Sequence, residues 1–104
     1  MIIITSSAIP GKEIKKNFGL VRGNTIRARF IGKDIVAVFK NILGGEISEY
    51  TKLMAESREQ AIDRMIAEAK ALGANAIIDV RFSTSYIMQS AAEILVYGTA
   101  VFVE

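Results

Sequence analysis

The sequence predicts an α+β fold: a small antiparallel sheet packed on one long helix, within a single domain spanning residues 1–104. Three observations carry that prediction. Apolar residues recur at 3–4 spacing from residue 46 to residue 72 with no Pro among them, which specifies a helix. Two β-branched, apolar runs follow, close enough together to pair as a hairpin. A third β-type stretch, broken by Gly, precedes the helix.

In chain order, Ile2–Ile4 reads as a short strand ended by Thr5, Ser6 and Ser7. Pro10-Gly11 is a turn signal, because Pro presets φ for the second turn position and Gly accepts the positive φ of the third. Residues 18–31 form a strand, with Gly19 and Gly23 as candidate bulges and Ile26, Ala28 and Phe30 alternating with Arg27, Arg29 and Ile31. Gly32-Lys33-Asp34 makes a turn, and Asp34 caps a short helix through Asn41. Gly44-Gly45 ends that helix.

The long helix runs from Glu46 to Leu72, with Gly73 as its stop. Ile47, Tyr50, Met54, Ala61, Met65, Ala69 and Leu72 make one stripe, widened by Leu53, Ile62 and Ile66. Glu46 and Glu49 in the first turn and Lys70 in the last complement the helix dipole. Between Glu56 and Gln60 the stripe lapses, which suggests a change of packing partner. Beyond Gly73–Ala76, strands at 77–88 and 93–103 form the hairpin. The second carries apolar groups on both faces: Ile94, Val96, Ala100 and Phe102 on one, Leu95, Tyr97, Val101 and Val103 on the other. A monomer would leave one face wet, so this pattern predicts a homo-oligomer.

Composition points the same way. Apolar residues make up 51% of the chain and charged residues only 23%, with a mean hydropathy of +0.32. A folded chain of this mass exposes about 5,800 Å², some 65% less than unfolded, so its interior is thin. There is no Cys and no His. Disulfides, zinc fingers, iron–sulfur clusters, His acid–base chemistry and Cys nucleophiles are therefore excluded, and no Cys/His metal site is possible. The longest strongly apolar charge-free run, Ile94–Val103, has ten residues against the roughly 20 of a spanning helix. The start has no basic leader and only a brief apolar run, so a cytoplasmic protein with no membrane partner is expected.

Several strings carry a family likeness: Val21-Arg22-Gly23-Asn24, Gly44-Gly45-Glu46 with Glu49-Tyr50-Thr51, Leu72-Gly73-Ala74-Asn75-Ala76, and Ile87-Met88-Gln89 through Glu93-Ile94-Leu95 with Tyr97-Gly98-Thr99-Ala100. Together they resemble the YbjQ-like family, a mainly bacterial group with a heavy-metal-binding label. The resemblance covers nearly the whole chain. It implies a fold similar to dodecin subunits and a cyclic assembly, a ring-shaped homopentamer, and it supplies no catalytic residues to carry over. The metal label fits poorly with a chain lacking Cys and His.

Four groups of residues have chemical potential. Gly44, Gly45, Glu46 and Glu49 stand where a helix start attracts anions, but there is no Lys-Ser/Thr and the carboxylates repel phosphate; the simpler reading is a turn with favourable charges. The same two carboxylates could share a hard cation if neighbouring subunits completed its oxygen shell. The stretch 12–33 holds seven of the thirteen cationic residues, Arg22 among them, against one acid, Glu13. In a ring it could attract anions or nucleic acid, though the net charge of +2 disfavours nucleic acid, and the simpler reading is an edge strand blunted by charge. Asp79 and Arg81 suggest pairing across a subunit boundary, while Gln89 and Glu93 flank the hairpin turn and could line a shared pocket. Met54 and Met65 read as core.

The candidate binding residues are thus Arg22, Asn24, Gly44, Gly45, Glu46, Glu49, Gln89 and Glu93, with no catalytic residue, no identified cofactor and no assigned metal ligand. The expected function is a noncatalytic homo-oligomeric binding or scaffold protein with ligand or ion sites between subunits. The competing readings are a carboxylate/Tyr enzyme at an intersubunit cleft and anion or nucleic-acid binding through residues 12–33.

Overall fold

A computed structural model describes residues 1–28, 47–88 and 91–104. Its elements are β1 (Ile2–Ile3), β2 (Ile14–Ala28), α1 (Ile47–Leu72), β3 (Ala76–Met88) and β4 (Ala91–Val103). They build one four-stranded mixed sheet in the order β1-β3-β4-β2. The three long strands are antiparallel, as expected of the hairpin and its neighbour, and β1 alone runs parallel to β3. The predicted short helix at 34–41 and the Gly44-Gly45 break lie outside the described residues, as do Gln89 and Ser90 of the hairpin turn expected at 89–92, whereas Ala91 and Ala92 belong to β4, which starts two residues before the expected Glu93.

The helix ends where the sequence places its stop. Gly73 sits at φ +93, a conformation that would strain any residue with a Cβ. Its N–H donates to the Lys70 carbonyl at 3.0 Å, and the Ala74 N–H donates to Ala69 at 3.1 Å. That double closure satisfies two end carbonyls, while Ala69 and Ala74 meet in the core.

One side of α1 lies on β2 and β4 and scarcely touches β3. Its buried stripe is Ser57, Ala61, Met65 and Ala69, flanked by the half-buried Met54, Ile62 and Ile66. Two expectations are corrected here. The stripe does not lapse between Glu56 and Gln60: Ser57 is fully buried, its hydroxyl donating to the Leu53 carbonyl at 2.9 Å while its own carbonyl accepts the Thr25 hydroxyl at 3.2 Å. A polar residue thus holds a core position because its polar atoms are satisfied locally. Conversely, Leu72 is 46% exposed, since the chain has already turned away at Gly73.

In β2 the buried set is Val21, Gly23 and Thr25, which puts Ile26 on the other face, 60% exposed. The strand also begins four residues earlier than the sequence suggested, at Ile14. Gly19 does mark a register shift, but Gly23 is not a bulge. It is the point of closest approach: a Cβ there would fall 2.0 Å from the Ala61 carbonyl oxygen and 2.5 Å from the Met65 nitrogen.

A second cluster lies on the opposite side of the sheet. Ala76, Ile78, Val101 and Val103 are buried beneath Ile2, Ile4 and Ile9 of the N-terminal segment. Backbone bonds hold this segment along β3, from Ile4 N–H to Ile77 O at 3.0 Å and from Asp79 N–H to Ser6 O at 3.0 Å. The apolar second face of β4 is therefore divided: Val101 and Val103 are covered by their own chain, whereas Leu95 is half-buried and Tyr97 is 37% exposed.

Candidate functional site

The uncovered part of the helix-free face is where some of the sequence-predicted binding residues meet. Antiparallel partners project to the same side, so the register gives its rows directly. Arg22 and Arg81 both pair with Tyr97, giving the row Arg22–Tyr97–Arg81. The next row is Asn24–Leu95–Ser83, and the one beyond it Ile26–Glu93–Ser85. Leu20, 63% exposed, pairs with Thr99 on the other side of the arginine row.

Three of the eight predicted residues, Arg22, Asn24 and Glu93, are gathered on this surface. The Asn24 amide donates to Glu93 Oε2 at 3.3 Å across the strands. The Asn24 carbonyl also accepts a bond from Arg64 of α1, tying this strand to the helix. Gly44, Gly45, Glu46 and Gln89 lie outside the described residues, and Glu49 is placed only as a position in the first turn of α1.

Asp79 and Arg81, read as partners across a subunit boundary, have partners within the chain. Asp79 occupies a register shift in β3 with φ +54 and accepts the Ser7 hydroxyl at 2.7 Å. Arg81 Nη1 donates to the Thr5 and Val80 carbonyls, each at 2.8 Å. Both residues fasten the N-terminal segment. In the sequence Tyr97 falls among apolar groups and does not stand out as a candidate site residue. Its signal was a phenol among aliphatic side chains on a strand, a ring with a polar end.

The electrostatics of the face are positive at the arginine row. Among the described residues the ion pair is Lys15–Glu13, at 3.1 Å and away from this surface. Neither Arg22 nor Arg81 is neutralised by a described carboxylate. Glu93 stands two rows from Tyr97, about 13 Å along β4, too far for the two to share a proton. No set of three or more carboxylates among the described residues could hold a metal. With no Cys or His in the sequence, the donor set does not fit a heavy metal.

A second surface lies on the helix side, where α1 leaves β3 uncovered. Phe82 and Tyr86 project there, 48% and 69% exposed. An apolar groove of about 530 Å³ runs between Ile3 and Ile4, Ile62 of α1, and Val80 and Phe82 of β3. No helix among the described residues is long and apolar enough to cross a membrane.

Comparison with known proteins places these features in context. A family model, YbjQ_1, described as "Putative heavy-metal-binding", matches residues 1–104. A UPF0145 protein of Dehalococcoides mccartyi strain BAV1 is 59% identical over 104 residues, covering both chains completely. Another from Thermosipho melanesiensis is 58% identical over 97% of this chain and 94% of its own. One from the archaeon Methanosarcina acetivorans is 52% identical over 97% and 95%. Among solved structures, a DUF74-family protein of unknown function from Pediococcus pentosaceus superposes with a TM-score of 0.69 at 17% identity, covering 100% of this chain and 98% of that one. That likeness concerns the fold.

Proposed function

Given that the chain belongs to the YbjQ family of UPF0145 proteins, we propose that it is a noncatalytic homo-oligomeric binding protein of the cytoplasm, with ligand sites at the boundaries between copies. The observation that carries this reading is the uncovered helix side of β3. Phe82, Tyr86 and the adjoining groove form apolar surface that α1 does not reach. The chain exposes 6653 Å², against about 5,800 Å² for a compact chain of its mass. Its radius of gyration is 17.2 Å, where about 13 Å is ordinary for this length. Such an elongated, half-covered ribbon gains most from a second copy laid against it.

The strip on β3 and the long edge strand β2 lie on opposite edges of the sheet. Contacts between unlike surfaces of successive copies close into a ring, and the family resemblance makes five the expected number. Native mass spectrometry at micromolar concentration tests this. One closed oligomer is expected, shifting toward smaller species in Tyr86→Glu; a stable monomer overturns the reading.

A further inference from the structure

The geometry points to the row Arg22–Tyr97–Arg81 as a binding site for a free nucleotide, its phosphates held by the two guanidinium groups and its base stacked on the phenol ring. This deepens the reading of the protein as a binding protein, and it does not depend on the number of copies.

Arg22 on β2 and Arg81 on β3 flank Tyr97 of the central strand β4, on the face that α1 leaves free. Adjacent strands lie about 4.8 Å apart, so the two arginine backbones stand about 10 Å from one another with the ring between them. With the Arg81 guanidinium held beside the N-terminal segment at the β3 edge, the long Arg22 side chain is the one that must reach across the ring toward a shared anion. Arg22 is exposed and forms no hydrogen bond or ion pair with the described residues. Arg81 Nη1 is committed to the Thr5 and Val80 carbonyls, so its guanidinium is fixed, and among the described residues Nε and Nη2 take no partner. A guanidinium already held in place loses little freedom on binding phosphate.

The floor of the site is apolar rather than acidic. Tyr97 is 37% exposed and Leu20 63%, with the half-buried Leu95 beside them. A simple inorganic anion would leave that floor in water, whereas a flat base would cover it. An aromatic ring on an open sheet face, flanked by arginines, supplies both stacking and charge. Asp79, the carboxylate nearest Arg81 in sequence, is engaged by Ser7, and Glu93 by Asn24.

The test is isothermal titration of the full-length protein with ADP, adenosine, inorganic pyrophosphate and a short oligothymidine. Saturable ADP binding is expected, roughly tenfold tighter than pyrophosphate or adenosine. Arg22→Gln should weaken it by about tenfold or more while leaving the far-UV circular dichroism unchanged. Arg22→Lys should recover part of the loss, and Tyr97→Ala should erase the preference for ADP over pyrophosphate. No ADP binding at millimolar concentration, or equal binding by Arg22→Gln, overturns the proposal. So does binding of oligothymidine without ADP, and so does dissociation of the oligomer by Arg22→Gln with no ADP binding, which would assign the face to a second copy. A monomer that binds ADP through Arg22 would overturn the ring and leave this site standing.

Discussion

The two ends of the sheet use the same three long strands and are covered differently. At the end holding Ala76–Ile78 and Val101–Val103, apolar residues are buried on both faces, Ile77 and Ala100 toward α1, Ile78 and Val101 toward the N-terminal segment. At the other end the helix still buries Ile94 and Val96, but the opposite face keeps Leu20 and Ile26 more than half exposed. The sequence of β4 is nearly as apolar at one end as at the other. What differs is the reach of the chain that precedes β2. It runs along β3 from Ile2 to Ser6, turns back between Ile9 and Lys12, and enters β2 where Glu13 and Glu104 exchange backbone bonds at 2.9 and 3.0 Å. Burial of a strand face is thus decided by a segment remote in sequence.

The helix side is common to both ends, and disturbing it should have the largest effect. Gly23→Ala puts a Cβ within 2.0 Å of the Ala61 carbonyl and 2.5 Å of the Met65 nitrogen, both backbone atoms that cannot rotate aside. The helix must lift from the sheet, at a cost of about 3 kcal/mol or more. Urea unfolding should show a much lower midpoint; an unchanged one would mean that α1 is not seated on β2.

The contrast between the ends is tested by two substitutions on one face. Ile78 is 6% exposed beneath the N-terminal segment, and Ile78→Ala should cost about 3 kcal/mol. Leu95, half-buried on the same face beyond that segment's reach, should cost about 1 kcal/mol or less as Leu95→Ala. Equal losses in urea unfolding would erase the distinction and require a cover over the arginine row.

Much of this architecture was legible because local signals matched it. The stop at Gly73, the helix before it, the Pro10-Gly11 turn and the hairpin strands all follow from residue type and spacing. Ser57 was not legible, since only the Thr25 hydroxyl and the Leu53 carbonyl make a serine acceptable in the core. Nor could Ile2–Ile4 reveal that they lie along β3, because a three-residue apolar run carries no address. The phase of β2 was open as well: Ile26 looked like a core residue, while the buried positions are taken by Gly23 and Thr25, small enough to let α1 approach. For the site, Arg22, Asn24 and Glu93 were named singly, but their meeting depends on strand register, which a sequence with apolar groups on both faces specifies weakly. The pairing of Asn75 with both backbone groups of Val103, at 2.9 and 2.8 Å, is another contact that only register creates.

A smaller effect than that of Ile78→Ala concerns the fastening that separates the two ends. Asp79 holds a left-handed backbone, φ +54, at the register shift where the N-terminal segment leaves β3. Asp and Asn tolerate that conformation, whereas a β-branched residue pays about 1–2 kcal/mol for it. Asp79→Val removes the acceptor for Ser7 and adds the backbone cost, so it should lower stability by about 2 kcal/mol. Asp79→Asn keeps an oxygen for the Ser7 hydroxyl and should change stability by about 0.5 kcal/mol at most. Hydrogen exchange separates this role from a global one. In Asp79→Val the amides of Ile4 and Asp79, which bond Ile77 and Ser6, should lose protection well before the Val101 and Ala100 amides in the middle of the sheet. Uniform loss across both groups would mean that the segment and the sheet unfold as one unit, and that the covered end owes its second core to something other than this bend.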